Sequence, residues 1–408
     1  MTDASDTAMA SSVLGRRLQA ARQEKGLTQA EVAAEMGMAR TTLVAIEKGE
    51  RRVRPEELVE LARLYGRQVN ELLRATPPAE ALSAQFRVAL TSAPESSTLQ
   101  PLISELQSLA EDYGELERLT GRPSSHEYPP VYATEGLRPE AAGADAAIRE
   151  RIRLGLGDGP ILQLRDLMER EVGLRVFGLS LPSAVAGLFA FDEEVGGCVG
   201  FNINHPNERQ RWSLAHEYGH AVTSRTRAEI TVLAGYRRIP ANERLAEAFA
   251  ENFLMPSSGL TRRFNDLIRS SPEGPTPADL VQLSDIYQVS VQAMILRLEG
   301  LRLIPSGTWD ELEAAGFSAN EAKTLLDIGG REPDRSRLPR HYRYLAVEAY
   351  VRAMITEGQL ARFLRTDRLG ARETVQELMS RLALTNLGEV TRVEMDPLFQ
   401  SRLERSAG

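Results

Sequence analysis

The sequence contains little cysteine or histidine and no long apolar run. Its single cysteine, Cys198, excludes a disulfide framework and a cysteine-rich zinc cluster, and is typical of the reducing cytoplasm. The N-terminal stretch MTDASDTAMASSVLG has neither a basic flank nor an apolar segment, so no signal peptide is expected. The longest uncharged run lies between Arg175 and Asp192, contains Pro182, and is shorter than the roughly 20 residues that cross a bilayer. We therefore expect a cytoplasmic protein without a membrane-spanning segment.

The composition is that of a globular protein, with 42% hydrophobic and 26% charged residues. A chain of 408 residues is too long for one core, so about two to four domains are expected. The net charge of −8 argues against a protein whose whole surface binds nucleic acid. Residues 13–74 nevertheless hold twelve Lys and Arg against nine Glu, a local charge of +3 that gives a weak basic footprint.

The first module, residues 13–74, has the pattern of short helices separated by glycines. Thr28 is followed three residues later by Glu31, which predicts a capping box at the start of the helix TQAEVAAEM. Gly37 ends that helix, and ARTTLVAIEKGE follows after a very short turn. Two helices joined in this way are typical of a helix-turn-helix.

The stretch LTQAEVAAEMGMARTTLVAIEKGERRV closely resembles the Cro/repressor-type (XRE) helix-turn-helix family. The resemblance implies a module that binds double-stranded DNA, with Arg40, Thr41 and Thr42 reading base edges in the major groove. The alternative is a small helical bundle that docks a protein. The resemblance further implies a base or backbone contact from Gln29, and phosphate contacts from Lys48, Arg51 and Arg52.

Residues 75–142 are richer in Pro, Ser, Ala and Glu and are predicted to form a linker. Within them, apolar residues alternate three and four apart, as in a heptad repeat. A self-pairing helix that makes a homodimer is one interpretation, and an amphipathic helix packed on its own domain is the other. The residues of this seam are Leu99, Leu102, Leu106, Leu109, Tyr113 and Leu116.

The stretch LAHEYGHA lies in a segment with helical periodicity and places His216 and His220 four residues apart. Two imidazoles at this spacing project from one face of a helix, at about the separation that a tetrahedral zinc ion needs. Glu217 beside the first histidine is placed to take a proton from zinc-bound water. The alternative is a pair of histidines on a helix surface.

A catalytic zinc needs a third protein ligand, which the downstream helix NERLAEAFAENFLMP can provide. On a helical wheel Glu243 lies toward the apolar stripe, Glu247 lies at its edge, and Glu251 lies well outside it. A carboxylate that faces the core is costly unless it is paired or bound to metal. Glu243 is therefore the better candidate and Glu247 the second, while a half-exposed glutamate at a helix start is the alternative for Glu243.

FNINHPNERQRWSLAHEYGH followed by ERLAEAFAENFLMP resembles the ImmA/IrrE family of bacterial zinc metallopeptidases, whose substrates are typically repressors. The resemblance implies a gluzincin-like site with His216, His220 and Glu243 as ligands and Glu217 as general base. Many family members have Asn where this chain has Glu247, which leaves the third ligand open. The strand VGFNIN would be the edge that pairs with an extended peptide. His205 or Tyr236 would help to polarise a carbonyl, although a plain loop histidine is the favoured reading of His205.

The module that carries this resemblance is predicted over residues 143–304, and a helical C-terminal domain over 305–408. The run ITEGQLARFLRTDRLGARETVQEL has the rhythm of a second helix-turn-helix. A solvated face is favoured over nucleic-acid binding for its arginines, because glutamates cancel much of their charge. Those arginines are Arg362, Arg365, Arg368 and Arg372. The fold class expected is mainly α with a small β-sheet: a helix-turn-helix bundle, an α+β zincin-like domain and a helical domain.

The leading hypothesis is a DNA-binding zinc endopeptidase that cleaves a repressor or an antitoxin-like regulator in a stress, phage or mobile-element response. A second hypothesis is a non-enzymatic transcription regulator whose peptidase-like domain senses a ligand or partner. An antitoxin-like binding partner is the third. An intact HExxH motif with a glutamate that faces the core favours the enzyme hypothesis, since a site without catalytic activity has no reason to keep Glu217.

Overall fold

The structure is a computed structural model that describes most of the chain from residue 14 to residue 382. The described ranges are 14–66 without 20 and 24, the single positions 69, 72, 82, 85, 86 and 90, and then 96–122, 128–192, 195–232, 239–270 and 274–382. The chain divides into two compact units, Met1–Glu80 and Ala81–Gly408. None of the helices in these ranges combines the length and the apolar character that crossing a bilayer requires.

Unit 1 is a bundle of short helices around one small core. Residues 14–19 and 21–23 are helical and precede three helices: α1 (Gln29–Glu35), α2 (Arg40–Glu47) and α3 (Pro55–Tyr65). Thr28 and Glu31 form the expected capping box, and Gly37 adopts a left-handed φ of 61° in the turn before α2. Apolar side chains from each of these helices meet in the core, among them Leu18, Val32, Leu43 and Leu61. The helix-turn-helix arrangement is confirmed.

Unit 2 contains a four-stranded sheet in the order β1-β3-β2-β4. The strands are β1 (Arg175–Leu179), β2 (Val185–Asp192), β3 (Gly196–Asn202) and β4 (Glu229–Val232). β1 and β3 are parallel, and β2 is antiparallel to both β3 and β4. The prediction that VGFNIN is a free edge was wrong. β3 has a neighbour on each side, so its backbone hydrogen-bonding groups are already used within the sheet.

Helices cover this sheet and extend around it. The helices up to the end of the central module are α4 (Ser96–Thr120), α5 (Pro139–Arg153), α6 (Leu164–Arg170), α7 (Asn207–Thr223), α8 (Ala241–Leu254), α9 (Ser257–Ser270), α10 (Pro277–Tyr287) and α11 (Val291–Gly300). α7 lies against β2 and β3, and α8 packs between α7 and α5. The C-terminal helices are α12 (Thr308–Ala314), α13 (Ala319–Leu325), α14 (Arg340–Val351), α15 (Glu357–Phe363) and α16 (Arg368–Leu382).

Two glycines let the helices around α8 approach one another closely. A Cβ added to Gly143 on α5 would lie 2.2 Å from the carbonyl oxygen of Leu245 on α8. A Cβ added to Gly219 on α7 would lie 3.1 Å from Cα of Ala246 and 3.2 Å from the Phe249 side chain. The backbones of α5, α7 and α8 are therefore closer together than larger residues would allow.

Five of the six seam residues of α4, all but Leu102, are buried within unit 2, where α4 packs against β1 and α14. Leu99, Leu106 and Leu116 are each fully buried. Arg175 of β1 holds α4 against the sheet, because its guanidinium donates to the Ala110 carbonyl at 2.9 Å and to the Glu117 carboxylate at 2.9 Å. The structure thus shows the packed amphipathic helix of the two alternatives, and the seam gives no reason to expect self-pairing.

The C-terminal run contains a turn with the same backbone pattern as the helix-turn-helix of unit 1. Thr356 and Gln359 form a capping box at α15, as Thr28 and Glu31 do at α1. Arg365 has a φ of 52°, at the position that Gly37 occupies in unit 1. The rhythm seen in the sequence therefore corresponds to a structural repeat.

The arginines of this repeat do not form one solvated face, which corrects the favoured expectation. Arg365 donates to Asp112 of α4 at 2.8 Å, and Arg362 lies 3.6 Å from the same carboxylate. Arg372 pairs with Glu357 at 3.0 Å. Only Arg368 is exposed without a described partner among these four. Two of the four arginines hold α15 against α4, because the buried carboxylate of Asp112 needs compensating charge.

The substitution Gly143→Ala should lower the free energy of unfolding of unit 2 by about 1–3 kcal/mol, because the new methyl group overlaps the backbone of α8. Gly114→Ala is the matched control. Gly114 lies inside α4 with its nearest neighbour at 3.8 Å, so the better helix propensity of alanine should stabilise by up to about 1 kcal/mol. Chemical denaturation measures both. Equal effects of the two substitutions would contradict the close approach of α5 and α8.

Candidate metal centre and DNA-binding surface

The two histidines of α7 meet on one buried face of the helix. His216 and His220 are 4% and 0% exposed, and their Nε2 atoms lie 3.2 Å apart. The four-residue spacing brings both rings to the same side, as helix geometry requires. The site therefore begins with two inward-facing imidazole nitrogens.

Glu243 on α8 faces both of these nitrogens. Its Oε2 lies 3.3 Å from Nε2 of His216, and its Oε1 lies 3.5 Å from Nε2 of His220. Zinc bonds to nitrogen and oxygen of about 2.0–2.2 Å in a tetrahedral site put neighbouring ligand atoms about 3.3–3.5 Å apart. The spacing of the three donors fits a zinc ion, and no other group of His, Cys, Asp and Glu in the described ranges is comparably close.

Glu247 lies one turn further along α8 and contacts the outer nitrogen of His216. Its Oε2 is 3.2 Å from Nδ1 of His216, and its Oε1 accepts a hydrogen bond from Nε1 of Trp212 at 3.0 Å. The Glu247 side chain is 57% exposed, whereas that of Glu243 is 10% exposed. Glu243 thus faces the inner side of the cluster, and Glu247 faces the back of one imidazole.

The charges around the histidines favour a cation at this point. Burial alone would lower the pKa of His216, but its hydrogen bonds to the Glu243 and Glu247 carboxylates and the charge of Glu217 raise it to about 10. Burial would raise the pKa of Glu243, yet the two histidines hold it well below its usual range. A set of two imidazoles and a carboxylate that stabilises positive charge is the chemistry that zinc prefers.

Glu217 lies on α7 next to the first histidine, fully buried against the sheet. Its Oε1 accepts a hydrogen bond from the Thr231 hydroxyl at 2.6 Å. Burial raises the pKa of Glu217 to about 7, although His216 and Thr231 act in the opposite direction. A carboxylate with a pKa near neutrality is suited to accept and return a proton.

Two residues of β4 belong to this site and were not found by sequence reasoning. They are Thr231 and Glu229, which is buried and accepts a hydrogen bond from Asn242 at 3.0 Å. Burial raises the pKa of Glu229, while nearby His220 lowers it. In the sequence, the only feature that could have indicated these residues was a glutamate at the start of the short apolar strand EITV.

The opposite face of α7 is held by a buried polar network. The hydroxyl of Tyr218 donates to Glu150 of α5, and Tyr132 donates to the same carboxylate at 2.6 Å. Arg153 donates hydrogen bonds to the Glu150 carboxylate at 2.8 Å and to the Tyr218 hydroxyl at 3.2 Å. Every oxygen of Glu150 is engaged, so this network fixes the rotation of α7 about its axis.

Of the two residues suggested for polarising a carbonyl, His205 lies outside the cluster. His205 precedes α7, whereas His216 lies in the second half of the helix, and Nε2 of His205 contacts the Ser183 carbonyl at 3.0 Å. The favoured reading of His205 as a loop histidine agrees with this position. Tyr236 lies outside the described residues.

The residues expected to read bases in unit 1 lie at the start of α2. Arg40 and Thr41 are exposed there, and Thr42 is half-buried. Lys48 and Arg52, two of the expected phosphate contacts, are also exposed. These five residues are at least partly accessible to DNA.

The other two expected contact residues are engaged within unit 1. Arg51 makes a bidentate pair with Glu57, with bonds of 3.0 and 2.8 Å. Gln29 donates to Glu47 at 2.8 Å, and the same buried carboxylate receives two bonds from Arg22 at 2.6 and 3.1 Å. The Arg22–Glu47 pair joins the helical segment of residues 21–23 to the end of α2. It thereby orients the exposed start of α2.

Comparisons with known proteins match both units of the chain. Residues 18–72 match the family model described as Helix-turn-helix, and residues 169–299 match that described as IrrE N-terminal-like domain, of the M78 peptidases. No curated protein matches the chain. Among solved structures, it is similar to the crystal structure of ComR from Streptococcus suis at 12% identity, covering 92% of this chain and 90% of that one. The TM-score of 0.15 is too low to carry an argument.

The substitution Arg22→Ala should destabilise unit 1 by about 3–5 kcal/mol, because it leaves the buried Glu47 carboxylate without its charged partner. The double variant Arg22→Met, Glu47→Leu should recover much of this loss, since it removes both charges. Hydrogen exchange measured by mass spectrometry separates the two units. Faster exchange is expected in residues 14–66 and unchanged exchange in 128–192, and slow exchange in both would contradict the role of the pair.

Proposed function

We propose that this chain, which joins a helix-turn-helix domain to an IrrE-like domain, is a cytoplasmic DNA-binding zinc endopeptidase. It cleaves a repressor or antitoxin-like regulator. The observation that carries the proposal is the meeting of His216, His220 and Glu243 at ligand spacing, with Glu217 beside them. The helix-turn-helix of residues 13–74 places the peptidase module, residues 143–304, near a regulator bound to the same DNA.

His216, His220 and Glu243 would hold the zinc ion through Nε2, Nε2 and the carboxylate. When bound, zinc supplies Lewis-acid chemistry: it lowers the pKa of water and polarises the carbonyl of the scissile peptide bond. Glu217 accepts the proton of the attacking water at its carboxylate and delivers it to the nitrogen of the departing amine. Glu247 holds Nδ1 of His216, so that Nε2 of this ring keeps its direction toward Glu243.

The peptide substrate is expected to bind along β4. β3 lies between two strands, and part of the outer edge of β1 is taken by the Arg337 carbonyl, which accepts from the Gly178 amide at 2.9 Å. In the described part of the sheet, β4 is the strand with one open edge, and the side chain of Thr231 on β4 reaches Glu217. An extended peptide added to that edge would lie next to the general base.

Substitutions of the two glutamates, Glu217 and Glu243, should have different effects on zinc binding and cleavage. Glu217→Gln keeps all three ligands, so zinc should stay bound while cleavage falls about 10²–10⁴-fold. Glu243→Gln removes a charged ligand, so zinc affinity and thermal stability should both fall. Glu247→Gln should lower zinc affinity about 10–100-fold, as loss of a hydrogen bond to a ligand does. Zinc content by mass spectrometry and cleavage of a repressor encoded beside this gene are measured together.

Glu251→Gln is the matched control for these variants, because Glu251 lies on the same helix but pairs with Arg297. It should keep both zinc and cleavage. If Glu243→Gln kept its full zinc content and Glu247→Gln lost it, the third ligand would be Glu247, one helical turn further along α8. Unchanged regulation in Glu217→Gln, with no cleavage by the wild-type chain, would instead make the chain a regulator whose peptidase-like domain only binds.

Specific DNA binding should depend on Arg40 and Thr41. Replacing either with Ala should remove roughly 1–3 kcal/mol of discrimination for each lost base contact. Arg63→Ala, an exposed arginine on α3, is the control for loss of one positive charge. Binding to the operator and to random duplex is compared by titration at a stated salt concentration. Equal losses on both duplexes would assign these residues to phosphate contact.

A further inference from the structure

The end of the Glu217 side chain lies directly against the backbone of β2 at Gly187. A Cβ built on Gly187 would be 2.4 Å from Oε1 of Glu217 and 3.0 Å from its Cδ. No side chain fits at these distances, so any other residue at this position would displace the carboxylate. The absence of a side chain at Gly187 creates the space that Glu217 occupies.

Thr231 of β4 also lines this space. Its hydroxyl donates to Oε1 of Glu217 at 2.6 Å, and the residue is 8% exposed. Gly187 and Thr231 are partners in the pairing of β2 with β4, so both groups come from one position of the sheet. The pairing register shifts between Val185 and Gly187, and such bulges redirect nearby side chains.

The two oxygens of Glu217 have different surroundings. Oε1 is bonded to Thr231, whereas Oε2 is buried and has no hydrogen-bond partner among the described residues. Buried carboxylate oxygens normally have partners, because an unsatisfied one costs free energy. Because Oε1 already accepts the Thr231 hydrogen bond, Oε2 is the oxygen left to accept a proton.

We infer that Thr231 is a positioning residue for Glu217: together with the open position at Gly187, its hydroxyl holds the carboxylate so that Oε2 faces the attacking water. The inference rests on the proposed function, because a base needs this orientation only if it takes part in cleavage. A residue that acts through another in this way affects the rate of the chemical step more than the binding of substrate.

The test uses the full-length zinc protein and a repressor encoded beside its gene. Removing the hydroxyl with Thr231→Val should lower kcat about 10–100-fold, less than complete loss of the base, with KM within about twofold and zinc content unchanged. Thr231→Ser keeps the hydroxyl and should restore most of kcat. Thr223→Val is the control, since Thr223 donates its hydroxyl to the Gly219 carbonyl at 2.7 Å and does not contact Glu217.

A second readout needs no activity. In metal-free protein with Glu217 present, Thr231→Val should lower the midpoint temperature of thermal unfolding. The same change should leave the midpoint of a Glu217→Ala chain unaltered, because the partner is already absent. If Thr231→Val does not fold, Thr231→Ala takes its place in both measurements.

The outcomes distinguish the inference from the function on which it rests. Normal kcat in Thr231→Val, a Thr231→Ser variant as slow as Thr231→Val, or equal losses of midpoint in both backgrounds would overturn the positioning role. If neither the wild-type protein nor Glu217→Gln cleaves the repressor, the proposed peptidase activity itself fails, whatever the stability measurements show. Loss of cleavage in Glu217→Gln with normal cleavage in Thr231→Val leaves the activity intact and removes only the role of Thr231.

Discussion

The close contact between Gly219 of α7 and Ala246 of α8 determines the geometry of the candidate metal centre. Packed helix axes usually lie about 8–10 Å apart, and small residues at the crossing permit the closest approach. Here they bring Nε2 of His216 to within 3.3 Å of the Glu243 carboxylate. A larger residue at position 219 would separate the helices, and the three donors would no longer meet. The site thus depends on a residue that supplies no chemistry.

The core of unit 1 and the candidate metal centre of unit 2 satisfy their buried glutamates in opposite ways. In unit 1 the carboxylate of Glu47 is surrounded by donors from Arg22 and Gln29, so nothing is left for an external group. In unit 2 the carboxylates around His216 and His220 have few protein donors, and Oε2 of Glu217 has none among the described residues. The first arrangement stabilises a small bundle, and the second favours a cation and a mobile proton.

The parts of the fold that depend on local spacing could be predicted from the sequence. Capping at Thr28, the pairing of His216 with His220 on one face, and the inward direction of Glu243 all follow from helical periodicity. The position of β3 between two strands could not be predicted, because it depends on partners distant in sequence. For the same reason, periodicity identified the apolar seam of α4 but not β1 and α14, which cover it. Thr231 was missed because only the pairing of β4 with β2 brings it to Glu217.

The contact of α4 with the C-terminal helices has a consequence for how the protein is made. Asp112 is bonded by Arg365, which lies 253 positions later in the chain. The apolar side of α4 that packs on α14 therefore has no cover from that helix until the ribosome has added the residues up to Val351. Pairings between such distant positions form late in folding. A nascent chain of this protein acquires this covering layer of unit 2 only after His216, His220 and Glu243 have already emerged.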